Sequence, residues 1–264
     1  MMATKIPQSK WQKISLKCKR KIAYNSLDHV APLGTRQDNS SNHLFNEKLY
    51  RLYGYKQITL LDIGCSGGRL VKETIDDGHI AVGLEGSDYS KRFHRAEWRT
   101  IPEFLFTCDV TKPFSLYIYP PKRPMLFNVV TAWEFMEHIE KKDLAPLIHN
   151  VKKHMASDCI WVMSIANCPS IYNGIDLHRT KESKEWWVSK LREFGLINVN
   201  GYVEYFNTQF VRGKYETSGS FHLVVCKDPS QLPEIPKVDI VHWLWDRWIG
   251  SKTQVKLRML LIGK

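Results

Sequence analysis

The stretch Leu61-Asp62-Ile63-Gly64-Cys65-Ser66-Gly67-Gly68 sets one acid and three glycines, with two small residues between them, at the end of an apolar run. Such a turn lets main-chain N–H groups come close to a ligand, because few Cβ atoms stand in the way. Its order departs from the Gly-x-Gly-x-x-Gly of dinucleotide sites, and it lacks the lysine of a triphosphate-binding loop, so both ligands are disfavoured.

A turn of this kind needs a sheet to hold it. Apolar, β-branched runs at 58–63, 80–86, 104–110, 126–135 and 159–166 alternate with helical stretches at 68–77, 89–97, 141–155 and 181–194, the pattern of βα units on a parallel sheet. Two later runs, 198–207 and 221–227, lack a helix between them and are expected to pair antiparallel at one edge. In an open parallel sheet ligands bind beyond the carboxyl ends of the strands, which makes the loop after the first strand the expected cradle. Residues 1–45 are polar, basic and rich in turn formers, and read as a helix or two followed by a loop. Trp186, Trp187, Leu191 and Phe194 recur at helical spacing, as on a face packed against the sheet, and Gly195 ends that helix.

A chain of 264 residues fits one large domain or a domain with appendages. It has no run of eighteen apolar residues, and no apolar segment follows the first charges, so a cytoplasmic location is expected. Cys18, Cys65, Cys108, Cys159, Cys168 and Cys226 form no Cys-x-x-Cys pair and are expected to be free thiols. The net charge is +11, and residues 1–21 carry seven Lys or Arg and no acid. Such a surface suits an anionic partner, whether nucleic acid, a phosphorylated or nucleotide-linked substrate or a lipid headgroup, or it is a solubilising face. The tail, 229–264, combines three tryptophans with basic residues and is expected to pack on the domain or on a partner, with peripheral membrane contact as an alternative.

The Asp62–Gly68 stretch, in its strand–turn–helix setting, resembles the first motif of class I S-adenosylmethionine-dependent methyltransferases. The resemblance implies an α/β Rossmann-like fold: a mostly parallel seven-stranded sheet with an antiparallel edge strand and helices on both faces. It implies a basic helical or lid segment at 1–45, the methyltransferase domain at 46–228, and the tail at 229–264. S-adenosylmethionine would be the cofactor and S-adenosylhomocysteine the product. By that resemblance Asp62 and the turn, with Gly64, Cys65, Ser66 and Gly67, hold the amino-acid portion of the cofactor. Glu85, with Gly86 and Ser87, resembles the ribose-binding acid, since a carboxylate suits two vicinal hydroxyl donors. Asp109, with Val110, resembles the acid that accepts from the adenine amine. In "AWEFMEHI", residues 132–139, Trp133 and Glu134 would line the cofactor pocket while Glu137 and His138 face the acceptor.

For the acceptor, the (D/N/S)PP(Y/F) motif of base methyltransferases does not occur after the fourth strand, where "AWEF" stands instead. The segments "PLGTRQDNSSNHLFNEKL" and "DLHRTKESKEWWVSKLREFG" resemble paired segments of glycan and deoxysugar O-methyltransferases, including those joined to glycosyltransferases in bacterial and large-virus polysaccharide pathways. That implies methylation of a sugar hydroxyl on a glycan or glycoconjugate, with glycosyltransferases of the same pathway as partners and His178 near the acceptor. A sugar hydroxyl needs a base, and the candidates are His138, His178 and Asp176, with a histidine favoured because its pKa of about 6.5 leaves it largely neutral. Glu137, Asp176 and His178 could also supply ligands to a divalent cation, but without a tight ligand motif no metal is expected. Trp133, Trp186 and Trp187 are candidates for stacking on a sugar ring, and Asn39, Ser40 and Asn42 for polar contacts from the N-terminal segment. The competing expectations are an RNA methyltransferase guided by its basic termini and a non-catalytic cofactor-binding scaffold.

Overall fold

The apolar runs from residue 59 onward build the sheet that the pattern predicts. The computed structural model describes residues 13–212, 216–217, 219–238, 240–248 and 253. In chain order come β1 (Lys13–Cys18), α1 (Leu27–Val30), α2 (Leu33–Gln37), α3 (His43–Leu52), β2 (Thr59–Ile63), α4 (Arg69–Asp76), β3 (Ile80–Glu85) and α5 (Tyr89–Arg92). They are followed by β4 (Leu105–Thr107), β5 (Phe114–Tyr119), β6 (Arg123–Pro124), β7 (Phe127–Trp133), α6 (Lys141–Lys152), β8 (Met155–Ala166), β9 (Ile171–Tyr172) and β10 (Ile175–Asp176). The remainder is α7 (Lys184–Glu193), β11 (Ile197–Asn198), α8 (Asn200–Phe206), β12 (Glu216–Thr217), β13 (Ser220–Cys226) and α9 (Ile240–Trp248).

The main sheet runs β4-β3-β2-β7-β8-β13-β11, with β12 beside β13. Strands β4, β3, β2, β7 and β8 are mutually parallel, and β13 enters antiparallel to β8, from Ser220 opposite Ala166 to Val225 opposite Trp161. From β2 the chain moves through α4 to β3 on one side, and from β7 through α6 to β8 on the other. Right-handed crossovers in opposite directions put α4 and α6 on opposite faces, and the order reverses between β2 and β7. This is the Rossmann-like architecture that the class I resemblance implies. Strand β8 is buried over eight consecutive residues, as expected of a strand covered on both faces.

Several expectations are corrected. Residues 198–207 are not one strand: only Ile197–Asn198 pair with β13, and α8 follows. Its buried residues, Tyr202, Val203, Tyr205 and Phe206, repeat with the period of a helical stripe, which outweighs their strand-like composition. The N-terminal segment is not purely helical, since β1 pairs antiparallel with β5 in a separate sheet of order β1-β5-β6. Alternating lysines disguise β1, and the strand β5, with Phe114, Leu116 and Ile118 buried, escaped the pattern reading. The helix expected over 89–97 is α5 followed by a separate 3-10 turn at Ala96–Arg99. The basic residues of 1–12 and the tail residues 249–252 and 254–264 lie outside the described residues. Among the described residues no helix is long and apolar enough to cross a membrane.

Candidate active site

Strand β2 ends at Ile63, and the chain turns at Gly64, with φ of +74°, then passes Ser66 and Gly68, with φ of +46° and +88°, into α4. A Cβ on Gly64 would overlap the Phe135 ring, so the glycine is needed for space as well as conformation. Ser66 is held from every side. Its N–H donates to Glu85 Oε2 at 2.9 Å, its hydroxyl donates to the Asp38 carbonyl at 2.9 Å, and Trp98 Nε1 donates to its carbonyl at 2.7 Å. Arg95 Nη2 donates to the same hydroxyl at 2.9 Å, tying residues 34–38 to the turn.

The acids at the strand ends are buried. Glu85, at the end of β3, accepts the Ser66 and Ser87 amides at 2.9 and 3.1 Å, and burial raises its pKa although those two bonds oppose the rise. A carboxylate has about four lone-pair sites, so hydroxyl donors can still be accepted. Asp109 accepts from the Thr111 amide and hydroxyl at 3.1 and 2.6 Å and lies 3.7 Å from Arg20 Nη1. Residues 19–23 cross these strand ends, with the Asp109 amide donating to the Arg20 carbonyl and the Ala23 amide to that of Gly86. Asp62 Oδ1 accepts the Thr131 hydroxyl at 2.7 Å, and burial pushes its carboxyl up to about 7 while that bond pulls it back.

A cleft of about 1200 Å³ opens along these strand ends. Gly64, Ser66, Glu85, Gly86, Ser87, Asp109 and Val110 lie on its wall, as do Glu134 and Trp133 at the end of β7. Three of the residues expected to bind cofactor lie off the wall. Asp62 turns to Thr131, the Cys65 side chain packs toward Gly83, and Asn39 covers Gly67.

The proposed acceptor contacts need more correction. Asn39 accepts the Arg69 amide at 3.0 Å and so caps α4, while Ser40 donates to Asp38. Asn42 caps α3 through Leu44 and donates to the Gln209 and Phe210 carbonyls. The Trp133 indole is buried against Phe45, Phe210 and His222 and reaches the cleft wall with little exposed surface, which makes it a poor platform for a sugar ring. Trp187 is fully buried in the core, and Trp186 lies under the Lys141 and Lys190 ammonium groups, away from the cleft wall. Asp176 is not on the wall either. Its side-chain bond to Lys181, assisted by the Ser170 and His178 amides, holds its carboxyl at about 2, too acidic for a general base.

His138 and His178 meet at the far end of the cleft, their ring centroids 4.7 Å apart and nearly perpendicular. His138 Nδ1 lies 3.0 Å from Asp28 Oδ2; burial opposes its charge, but the Asp28 carboxylate, helped by Glu137 and Glu134, outweighs that and raises it to about 9. His178 Nδ1 donates to the Cys168 carbonyl at 2.6 Å, and burial lowers its pKa, leaving a neutral ring with a free Nε2 lone pair. Beneath them Glu137 is fully buried, with Oε1 accepting the Ala166 amide at 3.0 Å, and burial pushes its pKa up. Glu134 sits at φ of +50°, a strained conformation held by the bond from its amide to Ser164 Oγ at 2.9 Å. Asp28 and Arg20 were missed from sequence. Ser26 as the α1 cap was the available local signal, but nothing local points α1 at His138.

No family model and no curated protein matches the chain. Similar solved structures include the glycopeptide N-methyltransferase MtfA complexed with (S)-adenosyl-L-methionine, at 14% identity over 69% of this chain and 93% of that one, with a TM-score of 0.45. A TehB-like SAM-dependent methyltransferase from Corynebacterium glutamicum is 14% identical over 77% and 95%, with a TM-score of 0.46. Magnesium protoporphyrin IX methyltransferase (ChlM) from Synechocystis PCC 6803, with bound SAH, is 13% identical over 78% and 96%, with a TM-score of 0.49.

Proposed function

We propose that this chain is an enzyme that transfers the methyl group of S-adenosylmethionine to a hydroxyl oxygen of a polar, sugar-like acceptor. The observation that carries the reading is the single cleft that runs from the glycine turn, past Glu85 and Asp109, to the His138–His178 pair. Its volume, about 1200 Å³, is room for a cofactor and an acceptor together. Hydroxyl and amide groups from Asn25, Ser26, Gln37, Ser170 and Ser220 on the wall suit a hydroxyl-rich partner.

The reaction follows from placement. With acceptor oxygen and methyl carbon held about 3–3.5 Å apart in line with the sulfur, the C–O bond forms as the C–S bond breaks and the electron pair stays on sulfur. The sulfonium becomes a neutral thioether, and the hydroxyl proton leaves the oxygen. His138, already protonated beside Asp28, cannot take it, whereas neutral His178 can. The two strand-end carboxylates bind the cofactor's ribose and adenine in this reading, and Asp62 stabilises the turn that takes its amino-acid portion.

The test is transfer of labelled methyl from S-adenosylmethionine to a fractionated extract and to a panel of saccharides by the full chain. Label that resists ribonuclease and travels with glycan supports the reading. Ribonuclease-sensitive label replaces the saccharide with RNA, and an enzyme that does not bind S-adenosylmethionine overturns the whole assignment. His178→Ala is expected to bind cofactor normally and lose turnover by about 10²-fold or more.

A further inference from the structure

Glu137, His138 and His178 each bring one potential ligand atom within 4.8 Å of the other two. Each side chain is fixed by one polar atom and leaves another uncommitted. Glu137 Oε1 takes the Ala166 amide, whereas Oε2, on a side chain with no exposed surface, has no hydrogen-bond partner among the described residues. His138 turns Nδ1 to the Asp28 carboxylate at 3.0 Å, which leaves Nε2 as the atom that can act as a ligand once it gives up its proton. His178 gives its Nδ1 proton to the Cys168 carbonyl, which leaves Nε2 as its ligand atom too.

A self-contained polar network would close on itself, with an imidazole N–H bonded to the buried Glu137 oxygen. Here the two Nδ1 atoms face the Asp28 carboxylate and the Cys168 carbonyl, and a buried carboxylate oxygen is left beside the two rings with no hydrogen-bond partner among the described residues. A divalent cation that displaces the protons of these groups satisfies all three at once, and an Nδ1 turned to a carboxylate or carbonyl is how metal-ligating histidines are oriented. We propose that Glu137, His138 and His178 bind one first-row divalent cation through the Glu137 carboxylate and the two Nε2 atoms. Two imidazoles and one carboxylate suit Mn²⁺, Co²⁺ or Zn²⁺ better than the all-oxygen preference of Ca²⁺. Three ligands bonded at about 2.1 Å stand about 3–3.6 Å apart, so a pair at the 4.8 Å limit closes by about an ångström or more on loading. The sequence reading expects no metal and offers Glu137, Asp176 and His178 only as possible ligands; His138 takes the place of Asp176 in the set proposed here, because Asp176 is committed to Lys181.

Both histidines lie on the cleft wall, so the cation's open positions face the acceptor. What the cation does there rests on the methyl-transfer reading. The acceptor hydroxyl binds it and becomes more acidic, its proton leaves to water in the open cleft, and the oxygen attacks the methyl group. In the loaded enzyme His178 is then a ligand, and the cation takes over from it as the activating group.

The experiment begins with chelator-treated full-length protein titrated with Mn²⁺ by electron paramagnetic resonance and with Co²⁺ by visible absorption. One equivalent bound by the wild type and lost in His178→Ala and Glu137→Gln, with circular dichroism unchanged, is the expected result. Where either variant fails to fold, Asp28→Asn carries the test, with an expected drop in cation affinity of about 10- to 100-fold. A wild type that takes up no cation at millimolar concentration, or variants that fold and still bind it, overturns the proposal. Methyl transfer with each cation is measured in parallel. Transfer that persists after chelation, with no cation bound, overturns the site and leaves the function standing, whereas cation binding without transfer to any acceptor does the reverse.

Discussion

The side-chain oxygen of Asn39 accepts the backbone amide of Arg69 at 3.0 Å, directly across the face of Gly67. One residue of the N-terminal segment therefore caps α4 and seals the glycine turn, since Gly68 at the cap position has no side chain of its own. Asn39→Ala is expected to lower stability by about 1 kcal/mol, as for a lost helix cap, by urea denaturation. Gly67→Ala is expected to be worse for binding, because its Cβ would clash with the Asn39 side chain and push residues 34–39 off the turn. Calorimetry with S-adenosylmethionine should show a larger loss of affinity for Gly67→Ala than for Asn39→Ala. Equal affinities in the two variants would refute this seal.

Glu85 joins the glycine turn to the loop after β3 through two amide bonds. Glu85→Gln keeps one acceptor oxygen but sets an NH₂ group against a backbone N–H. The cost of one unsatisfied buried donor is about 1–3 kcal/mol, so cofactor affinity should fall roughly five- to hundredfold. Measured dissociation constants within twofold of the wild type would remove Glu85 from the cofactor site.

Asp62 sets a pH dependence. Its carboxyl holds its proton in the folded, cofactor-free chain up to about pH 7, whereas in the unfolded chain it ionises from about pH 4. Between those values the folded state binds more protons, so stability falls as pH rises through the window and levels off above it. Asp62→Asn should lack this decline and gain on the wild type by up to about 4 kcal/mol at pH 7. Thermal melts at a series of pH values check it. Cofactor binding at pH 6, which places an ammonium group nearby, should release a proton, seen as a buffer-dependent binding enthalpy.

The two adjacent tryptophans of α7 should separate packing from recognition. Trp187→Ala empties a fully buried site and should cost about 3–5 kcal/mol. Trp186→Ala removes a ring flanked by two lysines and should cost under about 1 kcal/mol. Neither should change the KM for acceptor of the folded fraction, and a raised KM in Trp186→Ala would restore its role as a sugar platform.

Local pattern determined a good deal of this protein. The glycine turn, the acids at the ends of β2, β3 and β4, and the βα alternation are written in adjacent residues, because strand period, turn chemistry and helix caps act over a few positions. Strand β1 and helix α8 were misread where that local signal is ambiguous. Lysines hide a strand whose partner, β5, lies far along the chain, and aromatic residues suit a strand and a helix alike. The histidine end of the cleft was decided only by tertiary structure. "MEHI" and "DLHR" name the histidines, but α1 brings Asp28 to His138, and the end of β8 supplies the amide that donates to one oxygen of Glu137 and spares the other. Which acid stays free and which is spent depends on partners that are remote in sequence. Asp176 and Asp62 look equally available in the chain, yet one is held as a carboxylate by Lys181 and the other is kept protonated by burial.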